Sequence, residues 1–138
     1  MSYLLDTNVI SELRKPKDRA DARVRAWIAS RTASDLFLSA ITILEIEVGI
    51  NQTARRDDAQ AKRLRTWLDD AVLDAFVGRI LAVDTAVARR CARMHVPDPR
   101  PERDALIAAT ASVHGFTVVT RNVKDFGPLD VAVLNPWD

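Results

Sequence analysis

Five short apolar runs punctuate this chain, and between them lie segments long enough for helices and almost nothing that reads as a hairpin turn. The runs are Tyr3 to Leu5, Leu36 to Ser39, Ile80 to Val83, Thr117 to Thr120 and Val131 to Leu134. Antiparallel strands can reverse through two residues, whereas parallel neighbours need a crossover of a dozen or more, usually a helix. Apolar runs without polar alternation also suit strands buried on both faces. The spacing therefore predicts an α/β fold: a central parallel sheet of about five strands flanked by helices. At 138 residues the chain suits one domain, spanning 1–138.

The helical segments follow from caps and breakers. Asp6, Thr7 or Asn8 can cap a helix through about Arg14, and Lys15 to Asp18, with Pro16, breaks it. Asp21 to Arg31 resumes the helical period with Val24, Trp27, Ile28 and Arg31 on one side. Helices are expected near Thr42 to Asn51 and over Ala54 to Phe76, where Ala61, Leu64, Leu68, Ala71 and Val72 fall at helical spacing. Asp84 or Thr85 can cap a helix to about His95. Pro97, Pro99 and Pro101 force an extended loop, Pro101 suits the first helical position of Pro101 to His114, and Gly115 can close that helix.

Ligands of open parallel sheets bind beyond the carboxyl ends of the strands. Asp6 follows the first strand, Glu45 follows the second by one helical turn, and Asp125 follows the fourth by a short loop. Asp104 lies in the first turn of the helix before that fourth strand. Each acid also has a local explanation. Asp6 can be a helix cap, and Thr42-x-x-Glu45 fits a capping box. Asp104 and Glu102 suit the positive end of a helix dipole, and Asp125 can be a turn residue. Gly49 shares the face of Glu45, while Glu47 points roughly 200° away and is expected in solvent. Carboxylates brought together repel one another and must be neutralised by protons, basic partners or a cation.

Composition narrows the cation. Cys91 is the sole cysteine and His95 and His114 the sole histidines, so a nitrogen and sulfur metal centre is not expected and any metal must be held by oxygen. Mg²⁺ is the natural choice, with Mn²⁺ able to substitute. Net charge is +1, but setting aside the four acids leaves 15 acidic against 20 basic residues, a mildly basic remainder compatible with nucleic acid. Arg55, Arg56, Lys62, Arg63 and Arg65, like Arg14, Lys15 and Lys17, read first as solvated charges, as do Arg100 and Arg103. Trp27, Trp67 and Trp137 read as packing residues. No apolar run approaches the roughly 18 residues of a membrane span, and the cytoplasm is the expected compartment.

Four blocks then carry a resemblance that covers nearly the whole chain: Leu4-Leu5-Asp6-Thr7-Asn8-Val9-Ile10-Ser11-Glu12, Ser39-Ala40-Ile41-Thr42-Ile43-Leu44-Glu45 with Gly49, Asp104 to Ala111, and Val118-Val119-Thr120-Arg121-Asn122-Val123-Lys124-Asp125-Phe126. In joint order and spacing they resemble the PIN-domain nucleases, in particular the VapC-type ribonuclease toxins of bacterial toxin–antitoxin pairs. The resemblance implies a three-layer sandwich with strand order 3-2-1-4-5. It implies that Asp6, Glu45 and Asp104 form the acidic, metal-binding core, with Asp125 a fourth acid often acting through water. Thr120 would support the site, and Asn8 and Asn122 would orient the acids. The expected activity is cleavage of phosphodiester bonds in structured RNA by metal-activated water. The expected partners are an antitoxin covering the acidic groove and a second copy in a homodimer, with a higher assembly once the antitoxin binds. Two other readings stand beside it: a haloacid-dehalogenase-like phosphatase using Asp6, against which Asn8 replaces the second acid, and a non-catalytic module of the same fold.

Overall fold

In a computed structural model that describes residues 1–138, the five expected strands are present as β1 (Tyr3–Leu5), β2 (Leu36–Ser39), β3 (Ile80–Leu81), β4 (Thr117–Val119) and β5 (Val133–Leu134). All neighbours pair in parallel, in the spatial order β3-β2-β1-β4-β5. Leu4 sits in register with Phe37 on one side and Val118 on the other. The connecting elements are α1 (Thr7–Arg14), α2 (Ala22–Ala29), α3 (Ala40–Ala54), α4 (Asp58–Trp67), α5 (Leu73–Ala75), α6 (Thr85–Met94), α7 (Glu102–His114) and α8 (Val123–Phe126).

Strand side chains alternate between the faces, and apolar groups cover both. Tyr3, Leu5, Leu36, Leu38 and Val119 pack with Val9 and Ile10 of α1, Val24 of α2 and Ile46 and Ile50 of α3. Leu4 and Val118 face the other way, onto Ile107, Ala108 and Ala111 of α7 and Phe126 of α8. Val87 and Cys91 then seat α6 on Ala105 and Ala109 of α7. The small residues of α7 let it serve two neighbours at once.

Where boundaries differ from expectation, a local cause is visible. The Ser39 hydroxyl accepts the Ile41 N–H at 3.0 Å, so α3 starts at Ala40 rather than Thr42. The expected long helix from Ala54 to Phe76 is interrupted, because the Asp57 carboxylate accepts the Gln60 N–H at 3.0 Å and begins α4 anew. A π-helical turn over Leu68–Val72 follows, burying both Leu68 and Val72 before α5. Pro101 is the residue before α7 rather than its first member, and Gly115 closes that helix at φ +71° as expected. β3 and β5 are only two residues long, which shortens both exposed edges of the sheet. α8 was not anticipated: four residues carry no period, and burial of Phe126 is what holds the turn.

Phe126 anchors the segment that bears Asp125, so Phe126→Ala should destabilise the fold by about 3–5 kcal/mol, read as a lower midpoint in urea denaturation.

Candidate active site

The site begins where β1 ends. The Asp6 N–H extends the ladder by donating to the Val119 carbonyl at 2.9 Å, which carries its side chain into the sheet's carboxyl edge. Asp6 is 5% exposed. One carboxylate oxygen accepts the Thr7 N–H at 2.8 Å, so Asp6 does cap α1, and the other accepts the Thr120 hydroxyl at 2.8 Å. Thr120 lies just past β4 and is fully buried. Its Oγ1 donates to Asp6 and accepts the Asn122 N–H at 2.9 Å and the Asn8 amide at 3.2 Å, which uses the full capacity of a hydroxyl. Asn8 Nδ2 is also 3.4 Å from Asp6, and its Oδ1 accepts the Arg121 N–H at 3.4 Å. Asn8 thus meets Asp6 with its side chain, whereas Asn122 reaches the network with its backbone.

Glu45 is brought in by α3. Thr42 lies inside α3 rather than at its cap, so no capping box forms. The carboxylate instead accepts the Thr7 hydroxyl at 2.6 Å, and that hydroxyl lies 3.2 Å from the buried hydroxyl of Thr42. Glu47 turns away and pairs with Arg65 of α4. Asp104 enters from the first turn of α7 and is half-buried, while Asp125 on α8 is exposed. Asp6, Glu45 and Asp104 line one cavity of about 500 Å³, with Asn8, Asn122 and Arg121 on its wall. Asp125 stands outside that lining yet close enough for its charge to act on Asp6 and Asp104.

Electrostatics bind the four acids into one system. Burial pushes the Asp104 carboxyl up to about 6, and the charges of Asp6, Asp125 and Glu45 add to the effect. Burial likewise raises Asp6, against the lowering pull of the Thr120 and Thr7 hydrogen bonds, with Glu45 and Asp125 raising it further. None of the four joins an ion pair; every pair in the structure uses other acids. Arg14, Lys15 and Arg121 also line the cavity but none pairs with these acids, and such unpaired oxygen donors suit a hard divalent cation.

Two features escaped the sequence. Glu12 lines the same cavity and is 6% exposed, but it is committed elsewhere. It accepts Lys15 Nζ at 2.9 Å and the Asp21 N–H at 2.9 Å, and these bonds, Lys15 first, hold its carboxyl below the usual range. Its signal was an acid set among Val9, Ile10 and Leu13 on α1. In a second group, Cys91, His95 and Glu102, the last in the same first turn of α7 as Asp104, place one donor atom each within 4.8 Å of one another. Here His95 Nδ1 accepts the Arg100 N–H at 3.0 Å, so the ring proton resides on Nε2, the atom that faces Cys91 and Glu102. A metal would need that nitrogen bare, and burial raises the Cys91 thiol, which favours its protonated form.

The parallel sheet in this order and the acids at its carboxyl edge define a class: the PIN domain model matches residues 3–127, and the chain belongs to the PIN-domain family. Among its relatives is toxin FitB of Neisseria gonorrhoeae, 40% identical over 97% of this chain and 97% of that protein. The fold matches a chain in the crystal structure of FitAcB from the same organism with a TM-score of 0.88, at 38% identity over 98% of each chain. VapC ribonuclease Y4jK of Sinorhizobium fredii is 36% identical over 98% of this chain and 97% of its own. A chain in a toxin–antitoxin complex from Klebsiella pneumoniae matches with a TM-score of 0.71 and 26% identity, covering 99% of both. Membership of this family displaces the phosphatase reading of Asp6.

Because the folded chain holds the Asp104 proton up to about 6, above an unfolded value of about 3.9, the stability that protonation contributes is complete below about pH 4 and is lost as pH rises through about 6. In EDTA, the melting temperature should fall across that window more steeply for wild type than for Asp104→Asn. Superimposable profiles would place the raised proton elsewhere. Replacing Thr120 with Val leaves Asp6 short of a donor and should cost about 1–3 kcal/mol in denaturant unfolding.

Proposed function

We propose that this chain is a Mg²⁺-dependent endoribonuclease, with Mn²⁺ able to substitute, that acts as the toxin of a toxin–antitoxin pair and hydrolyses phosphodiester bonds in structured RNA. The observation that carries this reading is the unpaired cluster of Asp6, Glu45 and Asp104 around one cavity, in a chain whose relatives include proteins named as a toxin and as a VapC ribonuclease.

Asp6, Glu45 and Asp104 would hold the cation, with Asp125 reaching it through water. When bound, the ion supplies charge stabilisation for the reacting phosphate and lowers the pKa of an attacking water. The remaining groups keep the ligands in place. Thr120 and Asn8 hold one oxygen of Asp6, and the Asn122 and Arg121 N–H groups in turn hold Thr120 and Asn8. Thr7 holds Glu45 through its hydroxyl and Asp6 through its N–H. Arg121, stacked over Trp137 at 5.3 Å on the cavity wall, is placed to meet a phosphate. An antitoxin covering the acidic groove, a homodimer and a larger assembly of both belong to the same proposal, supported by the likeness to a chain solved in a toxin–antitoxin complex. No helix is long and apolar enough to cross a membrane, and the cytoplasm remains the proposed compartment.

Single-turnover cleavage of structured RNAs with Mg²⁺ tests the activity. Asp6→Asn and Asp104→Asn should each lose about 100-fold or more, as removal of a group that stabilises developing charge does. Equal rates in wild type and both variants would sink the assignment. Mn²⁺ should raise the wild-type melting temperature, and a melt unmoved by Mn²⁺ would favour the non-catalytic module.

A further inference from the structure

A second cavity, of about 990 Å³, adjoins the acidic one and shares Arg14 and Lys15 with it. Its remaining wall is Pro16, Arg19, Gln60 and Arg63, with no acid among them. The four cations come from three places: the last turn of α1, the α1–α2 connection and α4. Concavity and convergence separate this group from an ordinary solvated helix face.

How each charge is used sharpens the contrast. On α4, Lys62 is paired with Asp58 and Arg65 with Glu47, but Arg63 meets no carboxylate. Its Nε and Nη2 donate to the Gln60 side-chain oxygen at 3.0 and 2.7 Å, a neutral acceptor that orients the guanidinium and leaves its charge intact. Arg14 lies over the Trp67 ring at 5.9 Å, and Arg19 joins no ion pair. Only Lys15 is compensated, by Glu12. Three uncompensated guanidinium groups therefore border a cavity that shares Arg14 and Lys15 with the one lined by the acids.

We propose that this channel binds the phosphodiester backbone of a single-stranded RNA segment flanking the scissile bond, with Arg19 and Arg63 on phosphates and Arg14 and Lys15 at the junction with the acidic cavity. The proposal rests on the ribonuclease reading. Charge alone would also suit an acidic peptide, but protein interfaces are built around an apolar core. This channel's own lining has none; the apolar groove of Ile46, Ile50, Leu64 and Trp67 meets it only at Arg14. A backbone of evenly spaced anions needs only the cations.

Binding of a fluorescein-labelled U12 oligonucleotide in EDTA, followed by anisotropy from 0.05 to about 1 M KCl, tests this without cleavage. For single strands the slope of log affinity against log salt is about −0.7 per phosphate neutralised. Arg19→Gln with Arg63→Gln should therefore flatten the slope by about 1.4, which corresponds to about a 25-fold weaker complex at 0.1 M than the same change gives at 1 M. Lys62→Gln, nearby but already paired, should leave the slope unchanged. An unaltered slope in the double variant, an equal loss in Lys62→Gln, or no measurable binding by wild type would each overturn the proposal. So would a polyglutamate peptide whose affinity depends on Arg19 and Arg63 more strongly than that of U12. Metal-dependent cleavage by wild type is measured alongside, so failure of the ribonuclease reading registers separately from failure of the channel.

Discussion

Asp6 is buried at the seam of the two central strands, and the hydrogen bond it accepts from Thr120 spans 114 residues of sequence. A carboxylate here is costly unless its oxygens are met by donors. The Thr7 N–H and the Thr120 hydroxyl meet both, and Thr120 is itself held by Asn8 and the Asn122 N–H. What these groups leave unmet is the charge. Glu45, Asp104 and Asp125 compound that debt, since the sheet, α3, α7 and α8 all aim acids at the same edge. The site is thus a stored electrostatic conflict whose geometry is fixed by well-satisfied hydrogen bonds.

α1 links the two ends of this arrangement. Its first turn is capped by Asp6, and its last residue, Arg14, with Lys15 beyond it, opens onto the basic channel. Anions at a helix N-terminus and cations at its C-terminus both agree with the helix dipole. Glu12, buried between them, ties down Lys15 and the Asp21 N–H and so sets the path of the α1–α2 connection. An eight-residue helix thereby separates groups suited to cations from groups suited to phosphates.

The central sheet was legible because burial on both faces makes residues 3–5, 36–38 and 118–119 apolar without alternation, and Gly115 marks the end of α7 by a conformation other residues rarely adopt. Asp6, Glu45 and Asp104 could be placed at one edge once that sheet was drawn. Local signals failed where two of them competed. Thr42 and Glu45 read as a capping box only while Ser39, the stronger cap, is assigned to the strand alone. The Asn122 N–H bonds within a tight turn to Thr120 and Glu12 bonds within the α1–α2 connection, local contacts that no periodicity encodes, while the single turn of α8 depends on burial of Phe126 against other segments.

The 114-residue span of the Asp6–Thr120 bond also orders events during synthesis. Asp6 leaves the ribosome 114 residues ahead of Thr120, and β4, α8 and the Arg121–Trp137 stack all follow it by a similar or longer stretch. Until then β1 lacks one of its two neighbours, and Asp6 lacks the Thr120 hydroxyl. The hydrogen bonds that settle Asp6 are therefore completed only when β4 docks beside β1.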